Sequence, residues 1–281
     1  MLATRRGLMK YIIILIAFAS LTACSENVVN NNNPTDTTTA NPYKWITSVH
    51  TTLGVPFDSD TTDDYIIIRP QYVLSYNSKF NVANWVSWEL NSDWYGDVPR
   101  YTGNFITDTS LPIHMYRVKH ADYTNSGYDR GHMVRSEERT KTIEDNKSTF
   151  ILTNILPQTP DLNQGVWLDL EYYCEDLCKK QNKELFVMAG GIYKTDSTLK
   201  GEGKVRVPDS CFKIIVVLER GQTLSDVNET TPVIAVVMPN IAGVRKDPWD
   251  KYKTTVRQIE SSTGYDFLNK IPVRIQNIIE N

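Results

Sequence analysis

Asp129-Arg130-Gly131-His132, Thr153-Asn154-Ile155-Leu156-Pro157-Gln158 and Asp161-Leu162-Asn163-Gln164-Gly165-Val166-Trp167 follow one another along a short stretch of the chain. After the third segment the pattern turns helical. Val166, Leu170, Tyr173 and Leu177 recur at three- and four-residue steps, which predicts a helix over about Leu162 to Gln181. Asp161 stands where an N-cap is expected.

Working outward, the segments on either side read as strands. Tyr65 to Ile68, Tyr72 to Tyr76 and Trp85 to Leu90 are rich in aromatic and β-branched residues. Thr149 to Thr153, Leu185 to Met188, Lys213 to Leu218 and Val233 to Val237 continue the pattern. The run Ile214 to Leu218 is apolar throughout, as a strand in a sheet interior would be. A second helix is expected from Tyr252 to Ser261, with Gly264 just past its end. Strands, then a helix, then more strands favour an α+β fold over a doubly wound one. No repeat or Pro/Gly-rich linker divides the chain from Trp45 onward, so residues 45–281 read as one domain.

The chemistry-bearing residues cluster in the opening stretch. Among four histidines (His50, His114, His120 and His132), only His132 has suggestive company. Asp129 and Arg130 precede it, Gly131 allows an unusual backbone angle, and Arg135 and Arg139 follow. An imidazole takes a proton near neutral pH, and a nearby carboxylate can hold its ring. Amide side chains such as Asn163 offer neutral oxygens suited to Mg²⁺. Glu171 lies eight residues later, about 12 Å of rise and about 80° of turn along a regular helix. The two can face one cleft but are poorly placed as adjacent ligands of one ion. This spacing makes Asn163 the direct ligand and Glu171 a group holding water around it. Without that context, Glu171 reads as a solvated helix residue.

These segments resemble the DNA/RNA non-specific endonuclease family, which has a ββα-metal active site. The likeness rests on Asp-Arg-Gly-His, Asn-Ile-x-Pro-Gln and Asp-Leu-Asn-Gln-Gly-x-Trp, with an acid eight residues past the second Asn. It extends to Tyr72–Asn77, Trp85–Trp88, Ser126–Tyr128, Ala189–Tyr193, Lys213 in its apolar run, Met238–Asn240 and Ile259–Gly264. It covers the chain from about Gly54 to Pro272.

The resemblance implies a mainly antiparallel sheet with flanking helices. It also implies a metal-dependent endonuclease that cuts DNA and RNA with little sequence preference and leaves 5′-phosphate ends. By position, His132 would be the general base and Asn163 the one protein ligand of Mg²⁺, with Mn²⁺ or another divalent cation also compatible. Asn154 would position the site, Asp129 would support the ion's waters or the histidine, and Glu171 would hold a water. Arg130 would contact phosphate or brace the hairpin. One departure stands out: the family carries an arginine before Asn in an Arg-Asn-x-Phe-like stretch, where this chain reads Thr102-Gly103-Asn104-Phe105. Arg100, Arg135 and Arg139 are the candidates to replace it. The departure also keeps open a rival reading, a surface lipoprotein that binds nucleic acid but cuts weakly. No Gly-x-Ser-x-Gly elbow supports a serine hydrolase.

The N-terminus speaks to location. Arg5, Arg6 and Lys10 precede the apolar run Tyr11 to Leu21, which fits an export signal and is short for a membrane span. Leu21-Thr22-Ala23-Cys24 resembles the lipobox of bacterial lipoproteins. This implies a signal peptide over 1–23, lipidation of Cys24, and a domain anchored in the cell envelope; Ser25 resembles outer-membrane sorting. Residues 24–44, Asn- and Thr-rich, read as a flexible tether. Cleavage removes three positive charges and takes the formal charge from −3 to about −6, so a nucleic-acid substrate would need a local basic surface. Cys174, Cys178 and Cys211 remain; a structural or disulfide role is expected ahead of zinc, since no second ligand pair follows.

Overall fold

Seven strands supply the frame on which the chemistry-bearing segments hang. The computed structural model describes residues 40–281 except Glu202. The leader, Cys24 and most of the tether therefore lie outside the described residues, which form one compact unit. In chain order the strands are β1 (Tyr65–Ile68), β2 (Val73–Asn77), β3 (Val82–Leu90), β4 (Asp129–His132), β5 (Ile155–Gln158), β6 (Lys183–Ile192), β7 (Ser210–Glu219), β8 (Val233–Pro239) and β9 (Lys253–Thr254). The helices are α1 (His120–Tyr123), α2 (Ile143–Ser148), α3 (Trp167–Lys179), α4 (Val256–Thr263) and α5 (Val273–Ile279).

One sheet runs β1-β2-β3-β6-β7-β8-β9 with every neighbouring pair antiparallel. Strands β4 and β5 form a separate antiparallel hairpin. Side chains alternate across each strand, so a sheet covered on both faces needs apolar residues at every position. Strand β7 shows this directly. Phe212, Ile214, Val216 and Leu218 enter one core with Trp85, Phe186, Ile259 and Phe267, under α4 and α5. Cys211 and Ile215 enter the other, with Trp88, Trp167, Leu170 and Cys174, under α3 and the hairpin. The expected α+β, mainly antiparallel architecture is the one observed.

Local expectations fail where side chains compete for the backbone. Thr149 to Thr153 is not a strand. The Thr149 hydroxyl donates to the Asn146 carbonyl at the end of α2, a 3-10 turn follows at Leu152–Asn154, and only an isolated bridge joins Ile106 to Ile151. The long helix does not start as expected either. Leu162–Val166 is a π-turn with non-helical angles at Gly165, and regular helix begins at Trp167. Gly165 makes this kink possible, because a Cβ there would lie 2.6 Å from the main chain of Arg245. Asp161 does not cap α3; it accepts from the Gly243 N–H (2.6 Å) and Arg245 Nε (3.0 Å). At the C-terminal end, Thr255 accepts from the Gln258 N–H and caps α4, which starts at Val256, four residues later than expected, and Gly264 closes it with φ 84°. The three cysteines are buried and free, so the disulfide expectation gives way to plain core packing.

Candidate active site

The hairpin pairs Asp129 with Gln158, Arg130 with Pro157, Gly131 with Leu156 and His132 with Ile155. Asp129 and Gly131 therefore point to one side, and Arg130 and His132 to the other. Gly131 has no positive φ; it is needed for space, since a Cβ would fall on the Gln158 side-chain amide. That corrects the backbone-angle reading of this glycine.

Asn154, just before β5, ties together the two ends of the segment that joins β4 to β5. Its Oδ1 accepts from the Val134 N–H (3.0 Å), and its Nδ2 donates to the carbonyls of Val134 (3.0 Å) and Thr149 (2.9 Å). Asn154 is wholly buried, and its side chain is fully bonded within the protein.

His132 projects into a nest of aromatic rings, with Phe105 at 5.3 Å and Phe150 edge-on at 4.9 Å. Burial, reinforced by Arg100 and Arg135, pushes its pKa down to about 3, so the ring is neutral at any ordinary pH. Its Nε2 is enclosed and has no hydrogen-bond partner among the described residues. Asp129 does not hold this ring as expected, because it faces the opposite side of the strand.

Asp129 instead accepts from Asn163 Nδ2 (2.9 Å) and Gln164 Nε2 (2.7 Å). This contact fixes which way the Asn163 amide points. Its Nδ2 is spent on Asp129, and among the described residues its Oδ1 has no protein partner, leaving a neutral oxygen turned outward. That donor suits a hard divalent cation completed by water.

Glu171 is buried, not solvated. It meets Arg135 Nε at 3.5 Å and Lys213 Nζ at 3.7 Å, and burial pushes its pKa up to about 7. Arg135 also donates to Glu175 (2.9 Å) and lies 4.8 Å over the Tyr172 ring. Its charge is thus largely committed.

The three candidate arginines separate cleanly. Arg139 is fully buried, lies 4.1 Å over the Trp94 ring and donates to the carbonyls of Gln71, Glu89 and Glu138. It holds the sheet to the segment joining β4 to β5 and, being fully buried, cannot reach a phosphate, which removes it from the phosphate-binding set. Arg100 sits 4.8 Å over Phe150, donates to Ser136 Oγ, and contributes directly to the depressed basicity of His132. At Gly103 a side chain would run into the Tyr101 hydroxyl, and Tyr101 packs edge-on against Phe150 at 5.1 Å. Tyr101 thus fills the place of the expected arginine while Arg100 delivers a guanidinium to the same aromatic nest. Arg130 braces: its Nη2 donates to the His120 carbonyl (2.9 Å) and to Thr124 Oγ1 (3.3 Å), tying the hairpin to α1.

Sequence reasoning missed Phe105 and Phe150 as the walls around His132, and Gln164 as the second group on Asp129. Only Gln164 carried a local signal, being next to Asn163. A carboxylate trio, Asp58, Asp63 and Asp64, also converges, but its hydrogen-bond partners Tyr43, Ser75, Asn77, Asn84 and Tyr265 belong neither to the hairpin nor to α3.

Comparison with known proteins places this geometry. The model of the DNA/RNA non-specific endonuclease family matches residues 50–274. A nuclease of Nostoc sp. is 46% identical over 239 residues, spanning 83% of this chain and 85% of its own. Nuclease C1 of Cunninghamella echinulata is 30% identical, spanning 77% and 87%, and human mitochondrial endonuclease G is 29% identical, spanning 73% and 70%. A crystal structure of an EndoG/EndoGI complex superposes with a TM-score of 0.66 at 25% identity, covering 80% of this chain and 92% of that one.

Proposed function

Because this chain belongs to the DNA/RNA non-specific endonuclease family, we propose that it hydrolyses phosphodiester bonds of DNA and RNA with little sequence preference, leaving 5′-phosphate and 3′-hydroxyl ends. The observation that carries the reading is the outward-turned Asn163 Oδ1, set by Asp129, beside a neutral His132. Asn163 would hold a divalent cation, Mg²⁺ first and Mn²⁺ as a substitute, and Glu171 would hold water around it. When bound, such an ion supplies charge stabilisation at the phosphate and the departing 3′ oxygen.

The chain's own residues do the rest. His132 cannot offer the enclosed Nε2, so Nδ1 accepts a proton from the attacking water while Nε2 carries the ring's own hydrogen. Neutrality down to about pH 3 keeps that nitrogen available. Arg100 shares charge on the non-bridging phosphate oxygens, which supports cutting over binding alone. Contacts of this kind address the backbone and carry no base information directly, consistent with weak sequence preference.

Plasmid nicking with and without chelator, followed by end-group analysis, tests the reading. Mg²⁺-dependent nicking lost in His132→Ala is expected. Full cleavage in EDTA, or products bearing 3′ phosphate, would refute it. We further propose lipid anchoring at Cys24 in the bacterial envelope, from the Leu-Thr-Ala-Cys leader. Radiolabelled palmitate should enter the intact chain and be absent from Cys24→Ser; equal label in both would refute the anchor.

A further inference from the structure

Lys213 is the buried charge that the reaction above leaves without a task. It lies in the middle of β7, in register with Ala189 on β6 and Val236 on β8, on the sheet face covered by α3. Its neighbours along the strand on that face are Cys211 and Ile215, so an apolar residue is expected. Its side chain is 1% exposed. Placing a cation there is costly unless something nearby uses the charge.

The ammonium stands 4.2 Å over the Trp167 ring and 5.8 Å over the Trp88 ring. Ring faces of this kind accommodate a cation without hydrogen-bonding it. Glu171 Oε1 is 3.7 Å away, too far for a hydrogen bond and close enough for strong Coulomb coupling. The small side chain of Ala189 beside it leaves room for the long lysine stem to rise toward α3.

We propose that Lys213 is a positioning residue of the active site, holding the Glu171 carboxylate from beneath and so aimed at Arg135 and the cleft. The inference rests on the nuclease reading given above. Charged groups reach Glu171 from every element packed on it. Lys213 comes from the sheet, Arg135 and Glu138 from the segment joining β4 to β5, and Arg100 from the loop before α1, while the Cys174 thiol lies beside it on α3 and Glu175 engages the same Arg135. Burial pushes Glu171 up, and Lys213 is the strongest influence pulling it back, ahead of Arg135. Glu138, buried and accepting from Trp88 Nε1 (2.9 Å), pushes the other way and also depends first on Lys213. With its pKa near 7, Glu171 is only partly ionised at neutral pH even beside Lys213; without the lysine the protonated fraction would rise further, loosening Arg135 and the grip on water.

Lys213→Met keeps the stem length and removes the charge. The acid limb of kcat should move up by about one pH unit or more, with the high-pH plateau largely retained. In a Glu171→Gln background the same limb should be absent, and adding Lys213→Met should shift nothing further. Carboxyl ¹³C NMR of the metal-free protein should show Glu171 titrating at higher pH in Lys213→Met. An unshifted limb and an unshifted Glu171 titration overturn the inference, as does a uniform loss of rate at every pH. Should Lys213→Met not fold, an acid limb that persists in Glu171→Gln overturns it equally. An inactive wild-type protein would sink the nuclease reading while the NMR titration still decides this one.

Discussion

Replacing Asn154 with alanine tests whether this residue braces the hairpin or takes part in chemistry. The side chain makes three hydrogen bonds in a dry interior: one from the Val134 N–H and two to the carbonyls of Val134 and Thr149. Each contributes on the order of 1 kcal/mol net, and truncation also leaves three buried backbone groups unsatisfied. The loss should therefore be about 3 to 5 kcal/mol. With a urea dependence near about 3 kcal/mol per molar, the unfolding midpoint should fall by roughly 1 M or somewhat more. The assay is equilibrium urea unfolding followed by tryptophan fluorescence, with cleavage measured on the same preparations. The bracing role predicts that stability and activity fall together, because the chain after His132 loses its anchor. A midpoint within about 0.3 M of wild type, with cleavage abolished, would refute it and move Asn154 into contact with the reactants.

Arg100→Ala should lower kcat by about 100-fold with the unfolding midpoint unchanged. Arg139→Ala should instead fail to fold or unfold far earlier, since three carbonyls lose their donor. Asp129→Ala frees the Asn163 amide to rotate, and the Mg²⁺ concentration for half-maximal nicking should rise by about 10- to 100-fold. Gly165→Ala should raise the same Mg²⁺ requirement, by about 10-fold, because a Cβ meets the Arg245 main chain at 2.6 Å and the kink must shift. His132 has a folded pKa near 3 against about 6.5 unfolded, so the unfolded chain takes up a proton that the fold refuses. Its contribution to stability is present above pH 6.5 and lost as pH falls toward 3; His132→Gln should flatten the decline of the urea midpoint over that window, while His50, near 4, retains part of it.

Much of this protein is legible without coordinates because its signals are local. Strands such as β1 and β7 announce themselves by residue type and apolar run. His132, Asn163 and Glu171 stand close enough in sequence for spacing to suggest one cleft. What spacing could not supply was the direction each side chain takes and the partner it meets. The kink at Gly165 exists because Arg245 approaches from a distant loop, and it changes the geometry between Asn163 and Glu171 from that of one regular helix. Arg139 looked as able to bind phosphate as Arg100; it is consumed by carbonyls at Gln71 and Glu89, far back in the chain. Glu171 was placed by spacing as a group holding water, but the burial that sets Lys213, from a strand far downstream, beneath it was not legible there. The sequence by itself determined the α+β class, since that follows from periodicity and residue type, and its resemblance to the family picked out His132 and Asn163 as the proposed base and metal ligand. Only the tertiary structure decided which arginine is consumed by buried carbonyls and which charges are buried together, because burial and pairing depend on contacts between segments remote in the chain.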